Sequence, residues 1–301
     1  MAEIKKSKLV IFLIVSTLLI TFTFYGYQIV FTANILVDKE DRIFLVKKGA
    51  TFKQVQEDLY RANFVNDPVS FSFLARWMKY DKHVKPGRFM LKSNMTNLEA
   101  VRVLRAGVQV PVDITFNNVR LVSELGEKIT RNTSVTPEEF DNALNDFVAS
   151  NTEGFTKQNI IAMFIPNTYE VYFNLSAAEL VERMHGEYKK FWNEERLAAA
   201  DVLGLTPLQV STLASIVQAE NTRGDEAKTI AGLYINRLKK DMPLQADPTL
   251  VFAVGDFSLK RILNVHKEVD SPYNTYKNAG LPPGPINMPE IHTIDAVLNY
   301  E

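Results

Sequence analysis

Cysteine is absent from all 301 residues. That absence excludes disulfides, thiolate metal sites, a cysteine nucleophile and a lipidated N-terminal cysteine. Histidine is scarce. His83, His185, His266 and His292 are scattered without metal-ligand spacing, so each reads as an ordinary surface or core histidine, and no metal or cofactor is expected. An excess of charge of one sign is also missing. The 34 basic and 35 acidic side chains leave a net charge of −1, which offers no electrostatic footprint for nucleic acid. What remains is 46% apolar and 23% charged, the composition of a globular chain with room for two or three domains.

Charge disappears altogether in "LVIFLIVSTLLITFTFYGY", which follows Lys5, Lys6 and Lys8. At about 1.5 Å per residue, Leu9 to Tyr27 span roughly 29 Å, the thickness of a bilayer core. Tyr25 and Tyr27 stand where an aromatic belt belongs. The expectation is a cytoplasmic tail at 1–8, a single uncleaved span at 9–28 in the cytoplasmic (inner) membrane, and all later residues outside. A cleaved signal peptide is the alternative, but "QIVFTANI" is a poor cleavage site.

Downstream, "RIFLV" reads as a strand, and Thr51 with Gln54 forms a capping box for a helix. Asp67-Pro68 starts a second helix, "GRFML" is a strand, and Thr96 with Glu99 caps a third helix ending at Gly107. These make one module over 40–108. A smaller one, strand "VPVDITF" then helix "LVSELGEKI", occupies 109–150. Short strands alternating with short helices imply compact α+β units, structural or carbohydrate-binding, with no catalytic spacing. A third domain, mixed α+β, is expected over 151–301. It includes one charged amphipathic helix, "AAELVERMHGEYKKFWNEER", with a solvated outer face.

Thr206-Pro207 begins the helix "LASIVQAEN" belongs to. With Val210 at zero and about 100° per residue, Leu213, Ile216 and Val217 fall near 300°, 240° and 340°, and Glu220 near 280°. Glu220 therefore continues the buried stripe, while Gln218, near 80°, faces the other way. Glu220 can be a helix-end carboxylate that reaches water or pairs with Arg223 or Arg237. It can also be an acid at a cleft floor, its pKa raised by desolvation, as protonation of a glycosidic oxygen requires. Asn236 and Arg237 follow on a helix, Gln245, Asp247 and Pro248 in a turn, and Tyr273, Asn274, Thr275 and Tyr276 in a loop. Amides, an aspartate and tyrosines beside a buried acid suit a sugar-binding groove, with the tyrosine loop within about 10 Å of Glu220.

The stretches "FIPNTYEVY", "LASIVQAEN", "NRL", "MPLQADPT", "YNTY" and "GLPPGPI" together resemble the MltG-type (YceG-like) endolytic murein transglycosylases. The resemblance covers nearly the whole chain and implies an anchor, a LysM-like α/β module and a catalytic domain. The family's acid lies in an E-x-E-[ST]-like helix end. Here Gln218 replaces the first glutamate, Glu220 is left as the acid, and Asn221 replaces the hydroxyl residue. Members continue with further strands past the position of Glu301, so part of the catalytic sheet is expected beyond it. The resemblance implies internal cutting of peptidoglycan glycan strands, beside membrane-bound peptidoglycan synthases, with 1,6-anhydro-N-acetylmuramic acid ends. The alternatives are a lysozyme-like hydrolase using Glu220 with Asp247, and a non-catalytic peptidoglycan-binding scaffold.

Overall fold

A 30-residue helix, α1 (Ala2–Phe31), leads the chain. Its segment Lys6–Phe31 is long and apolar enough to cross a membrane, and apart from the half-buried Ser16 its residues are exposed until Ile29. The helix runs past the expected end at residue 28. The computed structural model describes residues 2–221, 226–259 and 261–301, so Arg223 lies outside the described residues. The chain divides into two compact units. The first is Met1–Val112 with Tyr172–Asn174, and the second is Asp113–Val171 with Leu175–Glu301.

The first unit contains β1 (Ala33–Ile35), β2 (Arg42–Val46), α2 (Phe52–Arg61), α3 (Pro68–Trp77), β3 (Gly87–Leu91), β4 (Met95–Thr96) and α4 (Asn97–Ala106). Its strands form two antiparallel pairs, β1 with β4 and β2 with β3, the latter in register from Arg42 opposite Leu91 to Val46 opposite Gly87. The helix ends follow local chemistry. Thr51–Gln54 and Thr96–Glu99 close reciprocal capping boxes, Asp67 accepts from the N–H of Val69 and Ser70, and Gly107 ends α4 at φ 79°, where a β-carbon is disfavoured. The core joins Phe44, Val55, Leu59, Phe71, Tyr80, Phe89 and Leu104.

The second unit starts with β5 (Val112–Phe116), α5 (Val122–Thr130), α6 (Pro137–Ser150) and β6 (Asn167–Val171). The expected separate module at 109–150 does not stand alone. β5 pairs with β6, and Phe116 packs 6.2 Å from Phe164 and 5.4 Å from Tyr169, ring centre to ring centre. A lone strand and helix cannot bury both faces, so they join the later segment. The single amphipathic helix expected from Ala177 is two, α7 (Ala177–Phe191) and α8 (Glu194–Leu203), divided because Asn193 accepts from the Arg196 N–H and starts a new helix.

Next come α9 (Pro207–Glu220), α10 (Ala227–Lys239), α11 (Asp247–Val254), α12 (Asn264–Lys267) and α13 (Ile291–Leu298). Thr206 and Gln209 form the capping box of α9, with Pro207 in its first turn. Every residue from Val210 to Val217 is buried, so α9 is the unit's central helix rather than an amphipathic surface one. Its small hydroxyls make this possible: Thr212 donates to Leu208 O at 2.8 Å and Ser215 to Thr212 O at 2.7 Å.

Candidate active site

Glu220 is the last residue of α9. The core helix ends there, at a cleft of about 950 Å³ bordered by Glu220, Asp247, Phe252 and Phe257, and by Asn118 and Arg120 from far earlier in the chain. The walls are held by the stretch after "GLPPG". The Ile286 N–H donates to Ser215 Oγ at 3.0 Å, Asn287 Nδ2 to Ser215 O at 2.9 Å, and the Met288 N–H to Val119 O at 2.7 Å. Gly284 passes so close to Gln158 that a β-carbon would stand 2.1 Å from its carbonyl oxygen.

Gln218 borders the same cleft as Glu220 and is half-buried rather than turned to solvent. Its Nε2 donates to Met288 O at 3.3 Å and its Oε1 accepts from the Glu290 N–H at 2.5 Å. The helix is covered on all sides, so the wheel's opposition of core stripe and solvent face does not apply. An ionised glutamate at 218 would lack the donor for the Met288 carbonyl.

Glu220 is half-buried. Burial is the main force raising its carboxyl pKa, with the nearby Asp247 charge adding to it. A bond from the Tyr234 hydroxyl, 3.4 Å from Oε1, and one from the Asp247 backbone N–H act the other way without cancelling the rise. The Tyr234 contact is long for an O–H···O bond, so it orients the carboxylate more than it stabilises the charge. Tyr276 donates to Asp247 Oδ1 at 2.6 Å, and burial together with that bond pushes the phenol up to about 12. A run of contacts thus links Tyr234, Glu220, Asp247 and Tyr276. Arg237 does not pair with Glu220; its guanidinium donates to the Pro243 and Leu244 carbonyls.

The other expected site residues divide by exposure. Asn274 and Thr275 are 0% and 1% exposed and have no surface to offer a sugar. Asn274 Nδ2 donates to Lys267 O and Val269 O, its Oδ1 accepts from the Tyr276 N–H, and Thr275 Oγ1 bonds Thr249 and accepts from the Ala246 N–H. Both shape the loop that aims Tyr276. Tyr273 leans on Phe252, ring centres 4.7 Å apart, and donates to Gln158 O at 3.3 Å, so it backs the cleft wall. Asp247 is the first residue of α11 and not a turn-former. Gln245, at φ 52°, is exposed, and its N–H donates to Thr275 O. Asn236 is exposed on α10, and neither it nor Gln245 borders the cleft.

Three residues escaped sequence reading. Tyr234 sits two positions before Asn236, about 200° round the helix, so turning Asn236 outward would have turned Tyr234 inward. Arg120, its guanidinium 4.2 Å from the Phe257 ring centre, and Phe257 itself carry no local signal.

The profile of the YceG-like family matches residues 44–301. The chain belongs to that family. A protein from Streptococcus pneumoniae D39 named "Endolytic murein transglycosylase" is 24% identical over 327 aligned positions, covering 98% of this chain and 59% of that protein. One of the same name from Bacillus subtilis 168 is 47% identical over 88 residues, 29% of this chain and 24% of the relative. The crystal structure of a YceG-like protein from Listeria monocytogenes superposes with a TM-score of 0.57 at 25% identity, covering 87% of this chain and 91% of that one. The chain thus spans 59% of the length of the pneumococcal YceG-like relative.

Proposed function

We propose that this YceG-like chain is a membrane-anchored lytic transglycosylase that cuts peptidoglycan glycan strands internally. The observation that carries the reading is Glu220: a half-buried carboxyl with a raised pKa, in a cleft large enough for sugar rings. Protonated, Glu220 gives its proton to the glycosidic oxygen as the C1–O bond breaks. The resulting carboxylate takes the proton of the C6 hydroxyl of the muramic acid residue, whose oxygen closes on C1. The product is a 1,6-anhydro ring, no water is consumed, and Glu220 ends protonated. The nearby charge of Asp247 favours the protonated form of Glu220.

The hydrolase alternative would need Asp247 to activate water or form a covalent bond. The Asp247 carboxylate is instead engaged by Tyr276, which favours a positioning role. In this reading α1 is a single-pass anchor with its N-terminus in the cytoplasm, residues 40–108 are the LysM-like module, and residues 151–301 act outside as the catalytic domain, beside membrane-bound peptidoglycan synthases.

Mass spectrometry of products from purified, uncrosslinked glycan strands tests the reaction. Ends one water lighter than hydrolysis products are expected. Reducing ends with equal loss in Glu220→Gln and Asp247→Asn would establish a two-carboxylate hydrolase, and no cleavage a scaffold. Removing residues 1–28 should release the protein from membranes that retain the full chain through alkaline wash. A mature N-terminus near residue 33 would instead mark a signal peptide.

A further inference from the structure

Among the described residues of the first unit, an apolar stripe stands uncovered. On α3, Val69, Phe73 and Trp77 are 73%, 61% and 72% exposed, at i, i+4 and i+8. With Val69 at zero they fall at about 0°, 40° and 80°, and Ser70 at about 100° borders them. Ser70 is buried, and its neighbours tie α3 to the end of α1. Asn97 Nδ2 donates to Ser70 Oγ at 3.1 Å and to Ile29 O at 2.9 Å, and Asn34 Nδ2 donates to Asn97 Oδ1 at 2.7 Å and Asp67 O at 2.9 Å. The stripe therefore lies beside the last turns of the candidate span, where Tyr27 and Phe31 are also exposed, with ring centres 5.2 Å apart. Arg76 and Lys79, both exposed, flank Trp77.

We propose that α3 is a second membrane contact: Val69, Phe73 and Trp77 enter the boundary between headgroups and acyl chains of the bilayer that α1 crosses. The occupant is lipid for three reasons. The helix that carries the stripe is tied through Asn97 to the last turns of α1, the candidate span. Tryptophan with phenylalanine is the composition of the membrane interface, where an amphipathic ring has one wet and one apolar side. Arg76 and Lys79 suit anionic headgroups. A rigid buried amide network, rather than a loose linker, fixes the stripe to the end of α1, so inserting the span delivers the stripe to the surface. This inference rests on the anchor reading.

The chain has only two tryptophans, and Trp192 is 4% exposed, so Trp77 reports alone on lipid contact. The full chain is reconstituted in vesicles of phosphatidylcholine and phosphatidylglycerol whose acyl chains are brominated near the glycerol end. Emission should fall by roughly half of the two-tryptophan signal relative to unbrominated vesicles, because a belt tryptophan lies at that depth. Trp77→Phe should abolish the fall. Retention through alkaline wash without bromine quenching, with Trp77 open to aqueous acrylamide, overturns the contact alone. Shielding from acrylamide that grows with the protein-to-lipid ratio, without bromine quenching, assigns the stripe to a second copy and also overturns it. Loss of the chain in the wash overturns the anchor reading and this inference with it.

Discussion

Glu99 in the first unit and Glu220 in the second are both helical glutamates, yet their surroundings drive them in opposite directions. Glu99 sits in the first turn of α4. Its carboxylate accepts from the Thr96 N–H and from Thr96 Oγ1, both at 2.9 Å, and these bonds hold its pKa below the ordinary carboxylate range. Glu220 ends α9, where the helix presents carbonyls rather than free N–H groups, and burial outweighs its two donors. The first unit uses a carboxylate to saturate a helix start. The second holds one where burial outweighs the donors, which is what the proposed acid role requires. What separates the two carboxyls is burial rather than the number of their donors.

The largest test of that contrast is Glu220→Gln. Glutamine keeps the shape and removes the proton exchange, so product formation from glycan strands should fall by about 10² to 10⁴ with the far-UV circular dichroism unchanged. Residual activity near wild type would mean that the proton comes from elsewhere.

Two neighbours should tune the acid with opposite signs. Asp247→Asn removes a charge that raises the Glu220 pKa, so the alkaline limb of the kcat/KM profile should move to lower pH. Tyr234→Phe removes a bond that lowers it, so the same limb should move to higher pH. Each should cost much less than Glu220→Gln, about tenfold or less in rate. Parallel shifts in the two variants would break the electrostatic account.

Glu99→Ala should cost about 1 kcal/mol of first-unit stability in a urea titration, the usual worth of a cap, and leave the rate untouched. Because the folded pKa of Glu99 is lowered, its contribution is present above its unfolded pKa and fades as pH falls through the folded value. A pH-independent cost would point to packing instead.

The smallest expected effect is a gain. The folded state binds the Glu220 proton more tightly than the unfolded chain does, so stability falls as pH rises from the unfolded pKa through the raised folded one. Glu220→Gln removes that loss. It should melt about a degree or two above wild type at neutral pH and level with it in acid, a small value because Glu220 is only half-buried.

Legibility followed distance along the chain. The capping boxes at Thr51 and Thr96 and the Thr206-Pro207 start are complete within four residues, and the structure has each of them. The split after Phe191 is hidden in the sequence although Asn193 is a good cap, because the polar run Asn193-Glu194-Glu195-Arg196 reads as more of the same charged helix. By residue type Asn274 and Thr275 suit sugar contacts, but amides and hydroxyls serve equally to satisfy a buried loop, and burial decides between the two.

By itself, the sequence determined the apolar segment, the helix starts, the absence of any thiol chemistry and the place of Glu220 at the end of an apolar helix. Each depends on residue type or on neighbours within a turn or two. Only the tertiary structure decided that α9 is covered on every side, that Gln218 clamps the Met288–Glu290 backbone, that Asn118 and Arg120 border the cleft, and that Tyr234 and Asp247 meet Glu220. Those facts need groups more than a hundred residues apart to share one desolvated space. A carboxyl's affinity for its proton belongs to that shared space and is not written in any local stretch.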